Sequence, residues 1–464
     1  MAIWIPNLDS RTGPKYRRII EAIVNDIASG ALPLGTCLPP HRILAYQLGI
    51  SPNTTNRAYA HCVAHGMLQG QVGRGTFVRM VQPDSAQSAV GDMERPAAGP
   101  IDFSRNLPFP GPGADHLSQT LAELGRSPDL PAYLDYQSAH SFGHHMDAGA
   151  AWLARTGVQA DRDEIIITCG AQHGILASLM ATTRPGDLLL TEALTYAPVS
   201  LMARHLGLNL ATVAMDDKGI CPEALDEVCC RRSPRVLYLM PTLQTPTTTT
   251  LNEKRRTEVA EVVLRHNLLL IEDDVYGPLR AASITPLTGL VPDRTIYISS
   301  TSKCLAPGLR TAFLRAPVSF APALRNAVAL SCWMPPPLMV EIACRWIKTG
   351  TAERLTQAQR FEANVRQTMA RDILAGHTYA SDPDGFHVWL SLPHHWSLTA
   401  FCDRAAREGV QLTRGETFSP DETCRPRAVR ISLSHEPTRA RVRTGLCILS
   451  RLLKASDRLT PLVI

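Results

Sequence analysis

Long apolar runs are missing from this sequence of 464 residues, in which no stretch reaches the roughly 18 apolar residues that span a bilayer. The first residues also lack the basic region and the following apolar stretch of a secretory signal. These two absences predict a protein that acts in the cytoplasm and has no membrane partner.

Cysteine pairs at metal-binding spacing are missing as well. The twelve cysteines are scattered along the chain, and no Cys-x-x-Cys pair occurs among them. In a long chain without an export signal, scattered cysteines are typical of reduced thiols rather than of a disulfide framework or a zinc site. The spacing therefore predicts no bound metal.

Positive and negative charges balance over most of the chain. The formal net charge is +5, and residues 1–80 alone contain eight Lys or Arg and three Asp or Glu. The whole positive excess therefore lies in the N-terminal part. Such a distribution is expected if only this part meets a polyanion.

The chain is too long for one ordinary core, so we expect at least two domains. Residues 81–100 are rich in Pro, Gly, Ser and Gln and read as a linker between a domain over 1–80 and a domain over 101–464. After the linker, apolar runs such as 236–239 and 268–271 alternate with helical stretches. This alternation predicts an α/β domain with a largely parallel, buried sheet.

Residues 14–81 have the pattern of three helices followed by a hairpin. Apolar residues at helical spacing predict a first helix over 14–29, and a short second helix ends at Gly49. Ser51 is placed to cap a third helix that begins at Pro52 and runs to about residue 65. Two short strands, 68–72 and 76–81, follow. We interpret this order as a winged helix-turn-helix.

The start of the third helix carries short polar and cationic side chains. Groups of this kind suit base edges and phosphates in a major groove, and they come here from Asn53, Thr54, Asn56 and Arg57. From spacing alone, a small structural helical domain whose polar residues only cap a helix stays open.

Residues 14–79 resemble the GntR-type DNA-binding domain, through the segments 38–45, 48–51, 57–59 and 73–78. Pro52 stands where that family often has arginine, so the resemblance does not extend to a base preference. It implies contacts with double-stranded operator DNA from the second helix, the start of the third helix and the wing, namely from Arg42, Ser51, Thr54, Arg57, Arg74, Gly75 and Thr76.

Two motifs about thirty residues apart carry the chemistry expected of the large domain. Residues 271–277 place acids at the end of an apolar strand, where side chains of an α/β sheet face a ligand. Residues 299–310 place Lys303 among hydroxyls, with Arg310 seven residues later, which suits a reactive amine beside a phosphate. Either motif alone is more typical of a solvated surface, but their joint order favours a binding site.

Together the motifs resemble those of fold-type I aminotransferases, which use pyridoxal 5′-phosphate (PLP), and the resemblance covers about 101–455. It implies a large, mostly parallel sheet subdomain and a smaller α+β subdomain. Asp273 would pair with the pyridine nitrogen, so that the ring acts as an electron sink. Tyr276 would bond the phenolate oxygen, and Lys303 would hold the cofactor covalently. The phosphate would be held by Ser300, Ser302 and Arg310.

The same resemblance assigns residues elsewhere in the chain. Gly170, Ala171 and Gln172 would bind phosphate at the start of a helix, and Tyr196 would stack on the ring. Arg430 would clamp the carboxylate of an effector bidentately, although its pattern also fits a plain surface strand. Thr245 stands where aminotransferases usually have an asparagine that reaches the phenolate oxygen.

A GntR-type module linked to an aminotransferase-like domain resembles the MocR-like regulators. The resemblance implies a homodimeric, PLP-dependent transcriptional regulator that senses PLP or a small amine or amino-acid effector. An active aminotransferase carrying a DNA-binding module, or a regulator with a vestigial cofactor site, stays open. Thr245 favours sensing over efficient turnover, and we assign no catalytic residue.

Overall fold

The computed structural model describes residues 4–6, 8, 14–28, 31–33, 35–64, 68–71, 75–78, 99–111, 113–136, 143–282, 284–421 and 423–455. The chain forms two compact units, 1–92 and 93–464. The domain limits at 80 and 101 stay a prediction, and residues 81–98 of the expected linker lie outside the described residues. None of the described helices is long and apolar enough to cross a membrane.

The N-terminal unit packs helices against a small antiparallel sheet with strand order β1-β3-β2. Its core contains Ile19, Ile23 and Leu44, which lie on the apolar faces of two helices. The predicted winged helix-turn-helix is thereby confirmed. Its elements are α1 (Lys15–Ala28), β1 (Cys37–Leu38), α2 (His41–Gln47), α3 (Pro52–Ala64), β2 (Leu68–Gln71) and β3 (Gly75–Val78).

Buried hydroxyl groups on α3 fix its packing against the segment that leads into α2. Thr55 Oγ1 donates to the carbonyl of His41 at 2.8 Å, and Tyr59 OH donates to the carbonyl of Pro39 at 2.9 Å. Because a buried hydroxyl without a partner is costly, these bonds specify one arrangement of the two helices. The opposite face of α3 is left to solvent.

The larger unit is built on a buried sheet that has seven strands within the described residues, in the order β5-β13-β12-β11-β10-β6-β7. Five neighbouring strands are parallel, and only β13 runs antiparallel to both of its neighbours. The predicted mostly parallel sheet is confirmed. The strands are β5 (Ile165–Thr168), β6 (Leu188–Glu192), β7 (Asn209–Val213), β10 (Val236–Leu239), β11 (Leu269–Asp273), β12 (Thr295–Ser300) and β13 (Ala312–Arg315).

Helices connect these strands in the βα order typical of such sheets, and a short hairpin follows β7. Apart from the edge strand β7, of which only Val213 is buried, the strands are buried along nearly their whole length, as expected when helices cover the sheet. The connecting elements are α4 (Gly113–Leu124), α5 (Gly143–Ala154), α6 (Ala171–Thr182), α7 (Pro198–His205), β8 (Met215–Asp216), β9 (Gly219–Ile220), α8 (Pro222–Arg232), α9 (Glu253–Arg265), α10 (Leu287–Leu290), α11 (Ala321–Cys332) and α12 (Pro337–Lys348).

A second core lies in the smaller subdomain, where helices pack on an antiparallel sheet of order β14-β15-β18-β17. The N-terminal strand β4 (Ile101–Asp102) of the unit pairs with β16 of this subdomain. Its further elements are α13 (Thr351–Ile373), β14 (Tyr379–Ser381), β15 (His387–Ser391), α14 (Leu398–Arg407), β16 (Val410–Gln411), β17 (Thr413–Arg414), β18 (Ala428–Ser432) and α15 (Arg439–Lys454).

The segment after β4 runs toward the carboxyl edge of the large sheet. Gln359 of α13 holds it there, because its amide accepts from the N–H of Phe109 at 2.7 Å and donates to the carbonyl of the same residue at 2.9 Å. This fixed crossing brings Asn106 next to residues that follow β11 and β12.

Candidate cofactor site and DNA-binding surface

Lys303 and Asp273 lie at the same edge of the large sheet. Asp273 is the last residue of β11, and Lys303 follows the end of the adjacent parallel strand β12 by three residues. Lys303 Nζ donates to the carbonyl of Asn106. Burial lowers the pKa of Lys303 to about 8, and the positive charge of Arg430 acts in the same direction. An amine with this pKa is in part neutral near pH 7, as a nucleophile must be.

The carboxylate of Asp273 is buried and only half satisfied. Its Oδ2 accepts from Tyr238 OH at 2.6 Å, whereas Oδ1 has no hydrogen-bond partner of ordinary geometry among the described residues. Burial raises the pKa of Asp273 to about 6. The N–H of Val275 also favours the charged form of this carboxylate. A buried acceptor without a donor of ordinary geometry is costly, so this oxygen is suited to accept from a bound ligand.

The predicted phosphate-binding residues fall on neighbouring strand ends. Strand register places Thr168, Ala312 and Ser300 side by side, so the loops after β5 and β12 leave the sheet at the same edge. Gly170 opens α6 with a φ of +81°, and a Cβ there would lie 2.9 Å from Arg310 Nη2. Only glycine suits both the backbone conformation and this contact.

The hydroxyl and amide groups around this loop are not all free for a phosphate. Ser300 is fully buried, and its Oγ lies 3.0 Å from Ser302 Oγ and 3.4 Å from the carbonyl of Thr311. Ser302 is half-buried, whereas Arg310 is exposed and donates through Nη2 to the carbonyl of Cys169 at 3.0 Å. Ala171 and Gln172 contribute the first N–H groups of α6, which point out of a helix N-terminus.

Two further predicted residues, Thr245 and Tyr196, lie near Tyr276. Burial raises the pKa of Tyr276, and the nearby Thr245 hydroxyl opposes this effect. Tyr196 OH lies 3.5 Å from Gln172 Oε1 at the start of α6, and burial raises its pKa to about 12. The structure thus brings Tyr276, Thr245 and Tyr196 to the same edge as Lys303.

Asn106 is a residue of this site that sequence reasoning missed. Its Nδ2 donates to Tyr276 OH at 2.7 Å, its carbonyl accepts from Lys303, and its Oδ1 accepts from Ser434 Oγ at 3.2 Å. The absence of asparagine at Thr245 predicted that the phenolate oxygen of the cofactor lacks an amide donor, and that stays a prediction. The amide of Asn106 comes from another segment and bonds the hydroxyl of Tyr276. That segment is irregular, so no periodicity marks it.

His387 is a second missed residue. It begins β15, is almost fully buried, and its Nδ1 lies 3.3 Å from Asn106 Nδ2. Burial lowers the pKa of His387 to about 3, and the positive charges of Arg430 and Lys303 add to this effect. A neutral imidazole therefore lies within the site. A single histidine at the start of a strand gives no signal of this role.

Arg430 of β18 faces the same site and is half-buried, which argues against the plain surface strand. Its Nη2 donates to the carbonyl of Ser104 at 2.6 Å, but its Nε has no partner among the described residues. Burial lowers its pKa to about 10, and its guanidinium lies 4.9 Å from the centre of the Phe418 ring. It forms no ion pair with the described acids, so it can take an anionic ligand.

The N-terminal unit exposes a polar face of α3. Ser51 Oγ accepts from the N–H of Asn53 at 3.2 Å, so it caps the helix as predicted. The exposed Arg57 guanidinium lies 4.2 Å from the centre of the Tyr16 ring on α1. Arg74 lies outside the described residues. Of the remaining predicted residues, Arg42, Asn53, Asn56 and Gly75 are exposed, and Thr54 and Thr76 are half-buried.

Comparisons with known proteins agree with both units. Residues 109–444 match the family "Aminotransferase class I and II", and residues 15–78 match "Bacterial regulatory proteins, gntR family". The HTH-type transcriptional regulator YdeF of Bacillus subtilis (strain 168) is 30% identical over 455 residues, which cover 97% of this chain and 96% of YdeF. The vitamin B6 salvage pathway transcriptional repressor PtsJ of Salmonella typhimurium is 29% identical over 408 residues, which cover 88% of this chain and 91% of PtsJ.

A solved structure extends the likeness of the large unit. LysN, the α-aminoadipate aminotransferase of Thermus thermophilus, complexed with N-(5′-phosphopyridoxyl)-L-leucine, matches with a TM-score of 0.69 and 26% identity over 81% of this chain and 95% of LysN. Fold and site define an aminotransferase-type domain joined to a winged helix-turn-helix. The chain belongs to the MocR-like regulators, in which a GntR-type DNA-binding domain precedes an aminotransferase class I and II domain. Its cofactor is pyridoxal 5′-phosphate.

The residues at the sheet edge fit this cofactor. The unpartnered Oδ1 of Asp273 is the acceptor that a protonated pyridine nitrogen needs. The side-chain-free surface at Gly170, next to Arg310 and the start of α6, suits a phosphate group. The buried amine of Lys303, with its lowered pKa, suits the cofactor aldehyde.

Proposed function

We propose that this chain is a homodimeric transcriptional regulator of the cytoplasm, which binds an operator in double-stranded DNA and senses a small molecule at its PLP site. One observation carries the proposal. Within the described residues, a site with a lysine of lowered pKa, a carboxylate oxygen without a hydrogen-bond partner and an arginine without an ion pair shares a chain with an exposed recognition helix. Transamination has no use for the polar face of α3.

Each side chain of the site has a place in this proposal. When bound, PLP supplies an aldehyde that reacts with amines and a ring that accepts electrons. Lys303 would hold it covalently, Asp273 would accept from the ring nitrogen, and Tyr276 would bond the phenolate oxygen. Arg310, Ser302 and the start of α6, that is Gly170, Ala171 and Gln172, would hold the phosphate, and Ser300 would support it through Ser302.

Two classes of signal fit the site. A small amine or amino acid would displace Lys303, and Arg430 would bind the carboxylate of the amino acid. PLP itself is the other signal, and the name of the relative PtsJ, a repressor of vitamin B6 salvage, supports it. In either case the signal acts only through different affinities for two conformations of the regulator.

The test compares DNA binding by the purified protein with and without PLP, across a panel of amino acids and of amines that lack a carboxylate. DNA retained by the protein is sequenced first, and its affinity is then measured by fluorescence anisotropy. We expect Arg430→Ala to bind PLP and DNA but to lose the response to amino acids. Arg407→Ala, an exposed arginine on α14, serves as the control and keeps the response.

An active aminotransferase is the second candidate, and the pKa of Lys303 together with the amide of Asn106 favours it. We infer that turnover is not efficient, because Thr245 stands where aminotransferases usually have the asparagine that reaches the phenolate oxygen, and regulation needs only ligand binding. Rapid multiple turnover with a keto-acid acceptor, without any effect of the same substrates on DNA binding, would instead establish the enzyme.

A further inference from the structure

Two cysteines and a histidine that are far apart in sequence meet beside the phosphate-binding loop. We call Cys169, His173 and Cys332 the Cys2His cluster. Cys169 precedes Gly170, His173 lies on the first turn of α6, and Cys332 ends α11. The distance between the two Sγ atoms is 3.6 Å, and Cys332 Sγ lies 3.8 Å from His173 Nδ1. All three residues are half-buried, so solvent ions can reach them.

Two of the three ligand-to-ligand distances in the cluster are close to those of a tetrahedral zinc site, and the third, between Cys169 Sγ and the ring nitrogen of His173, is within 4.8 Å. Zinc binds thiolate sulfur at about 2.3 Å and imidazole nitrogen at about 2.0–2.1 Å, so two ligand sulfurs are about 3.8 Å apart and a sulfur and a nitrogen about 3.6 Å apart. Each observed distance differs by about 0.2 Å from the corresponding distance between ligand atoms in a zinc site. A disulfide, in contrast, requires about 2.05 Å between the sulfurs.

His173 is held in the orientation and tautomer of a metal ligand. Its Nε2 lies 2.8 Å from Ser331 Oγ, and that hydroxyl donates to the carbonyl of Ala327 at 2.6 Å. The hydroxyl oxygen therefore accepts from Nε2–H, which leaves the lone pair on Nδ1. Metal-binding histidines usually have such a partner on the second nitrogen. At present the N–H of Cys169 donates to Nδ1 at 3.0 Å, and a metal would replace this bond.

We propose that the Cys2His cluster binds one Zn²⁺ ion, with a water molecule as the fourth ligand, and thereby ties the end of α11 to the phosphate-binding loop. Two thiolates and one imidazole select zinc over the oxygen-binding Mg²⁺ and Ca²⁺. The spacing along the chain predicted no metal because only the fold brings residues 169 and 332 together.

Metal binding at this cluster is coupled to protons and to the cofactor. Zinc binds cysteine as the thiolate, so the thiols of the cluster release protons when the metal binds, and zinc affinity rises with pH. The carbonyl of Cys169 accepts from Arg310, which also contacts Gly170. A Cys169 held by zinc would therefore keep Arg310 in place for the cofactor phosphate. Zinc should thus lower the Kd for PLP.

The test uses the full-length protein, reduced and stripped of metal with a chelator. Zinc is titrated against a chromophoric chelator, and Co²⁺ replaces it to reveal thiolate-to-metal absorption. We expect the native chain to bind one equivalent of Zn²⁺ tightly. The control Cys447→Ser, which changes an exposed cysteine on α15, should bind the same amount. Cys169→Ser, His173→Gln and Cys332→Ser should each weaken zinc binding at least tenfold, with native circular dichroism.

Other results would overturn the proposal. One is tight binding that survives Cys169→Ser and Cys332→Ser but is lost in Cys230→Ser, since Cys230 lies in a different group with Asp226 and His266. Another is the absence of thiolate-to-cobalt absorption. A third is a Cys169–Cys332 disulfide, found by mass spectrometry in protein purified without reductant, that holds no metal. Because metal content is measured without DNA, these outcomes do not depend on the proposed regulatory function.

Discussion

The replacement Asp273→Asn tests the cofactor site most directly. Asparagine has the same shape and can still accept from Tyr238 OH, which now bonds Oδ2 at 2.6 Å. Its other terminal atom becomes an NH2 group, however, at the position of the unpartnered Oδ1. An NH2 group cannot accept from a protonated ring nitrogen. The variant thus removes one interaction and leaves the local packing in place.

The size of the effect follows from the kind of bond that is lost. A hydrogen bond to a charged group contributes about 1.5–3 kcal/mol. Every 1.4 kcal/mol is a factor of ten, so the Kd for PLP should rise about 10- to 150-fold. In Tyr238→Phe only a supporting bond is lost, worth about 0.5–1.5 kcal/mol, and the Kd should rise about 2- to 13-fold.

The assay is equilibrium PLP binding followed by absorbance, at several pH values. Burial raises the pKa of Asp273 to about 6, so the native carboxylate gains a proton and loses affinity for the ring as pH falls through about 6. Asp273→Asn should lack this contribution. The control is Asp274→Asn, because Asp274 is equally buried and its Oδ1 also lacks a partner among the described residues, but its Oδ2 accepts from Tyr297 OH at 2.6 Å, away from Lys303. An unchanged Kd in Asp273→Asn, or a larger loss in Asp274→Asn, would refute the assignment.

Further predictions concern both units. Lys303→Ala should abolish the absorption of covalently held PLP, and borohydride treatment followed by mass spectrometry should locate the native adduct at Lys303 alone. Asn106→Ala should shift the absorption of bound PLP, because Tyr276 OH loses its amide donor; an unchanged spectrum would place Asn106 outside the site. Burial raises the pKa of Glu192 from 4.5 to about 8. The contribution of this residue to the stability of the cofactor-free fold is therefore fully present below pH 4.5 and is lost as pH rises through 8. The free energy of unfolding of Glu192→Gln, measured by chemical unfolding, should depend less on pH. Arg57→Ala should cost about 1–3 kcal/mol of the free energy of specific DNA binding. Arg74→Ala should weaken binding to all DNA sequences alike and lower the slope of log affinity against log salt concentration by about one. Unchanged affinities in both variants would contradict the DNA-binding surface.

Much of the fold could be predicted because local patterns and packing agree. The apolar face of α1 and the cap at Ser51 located the helices of the N-terminal unit to within a residue or two. The ends of β11 and β12 could be placed because buried parallel strands are continuous apolar runs. Since such strands end at one edge of the sheet, Asp273 and Lys303 were expected in the same site, and the structure has them there.

Asn106, His387 and the Cys2His cluster could not be predicted in this way. Asn106 lies 170 residues from Tyr276 and 281 from His387, and Cys169 lies 163 from Cys332. Asn106, His387 and Cys332 belong to no motif, whereas Cys169 and His173 flank the predicted phosphate-binding residues 170–172 without indicating a metal site. Their contacts arise because a fixed segment crosses from the smaller subdomain and because α11 packs near the loop after β5.

The sequence by itself therefore determined the two-unit architecture, the winged helix-turn-helix and the residues at the strand ends, because hydrophobic periodicity, helix caps and motifs act over a few neighbouring residues. Only the tertiary structure decided which groups lack a partner and what their protonation is. Among the described residues Asp273 Oδ1 has no donor of ordinary geometry, and burial lowers the pKa of Lys303 and keeps His387 neutral. Desolvation and long-range contacts depend on the whole packed core, which no local segment encodes.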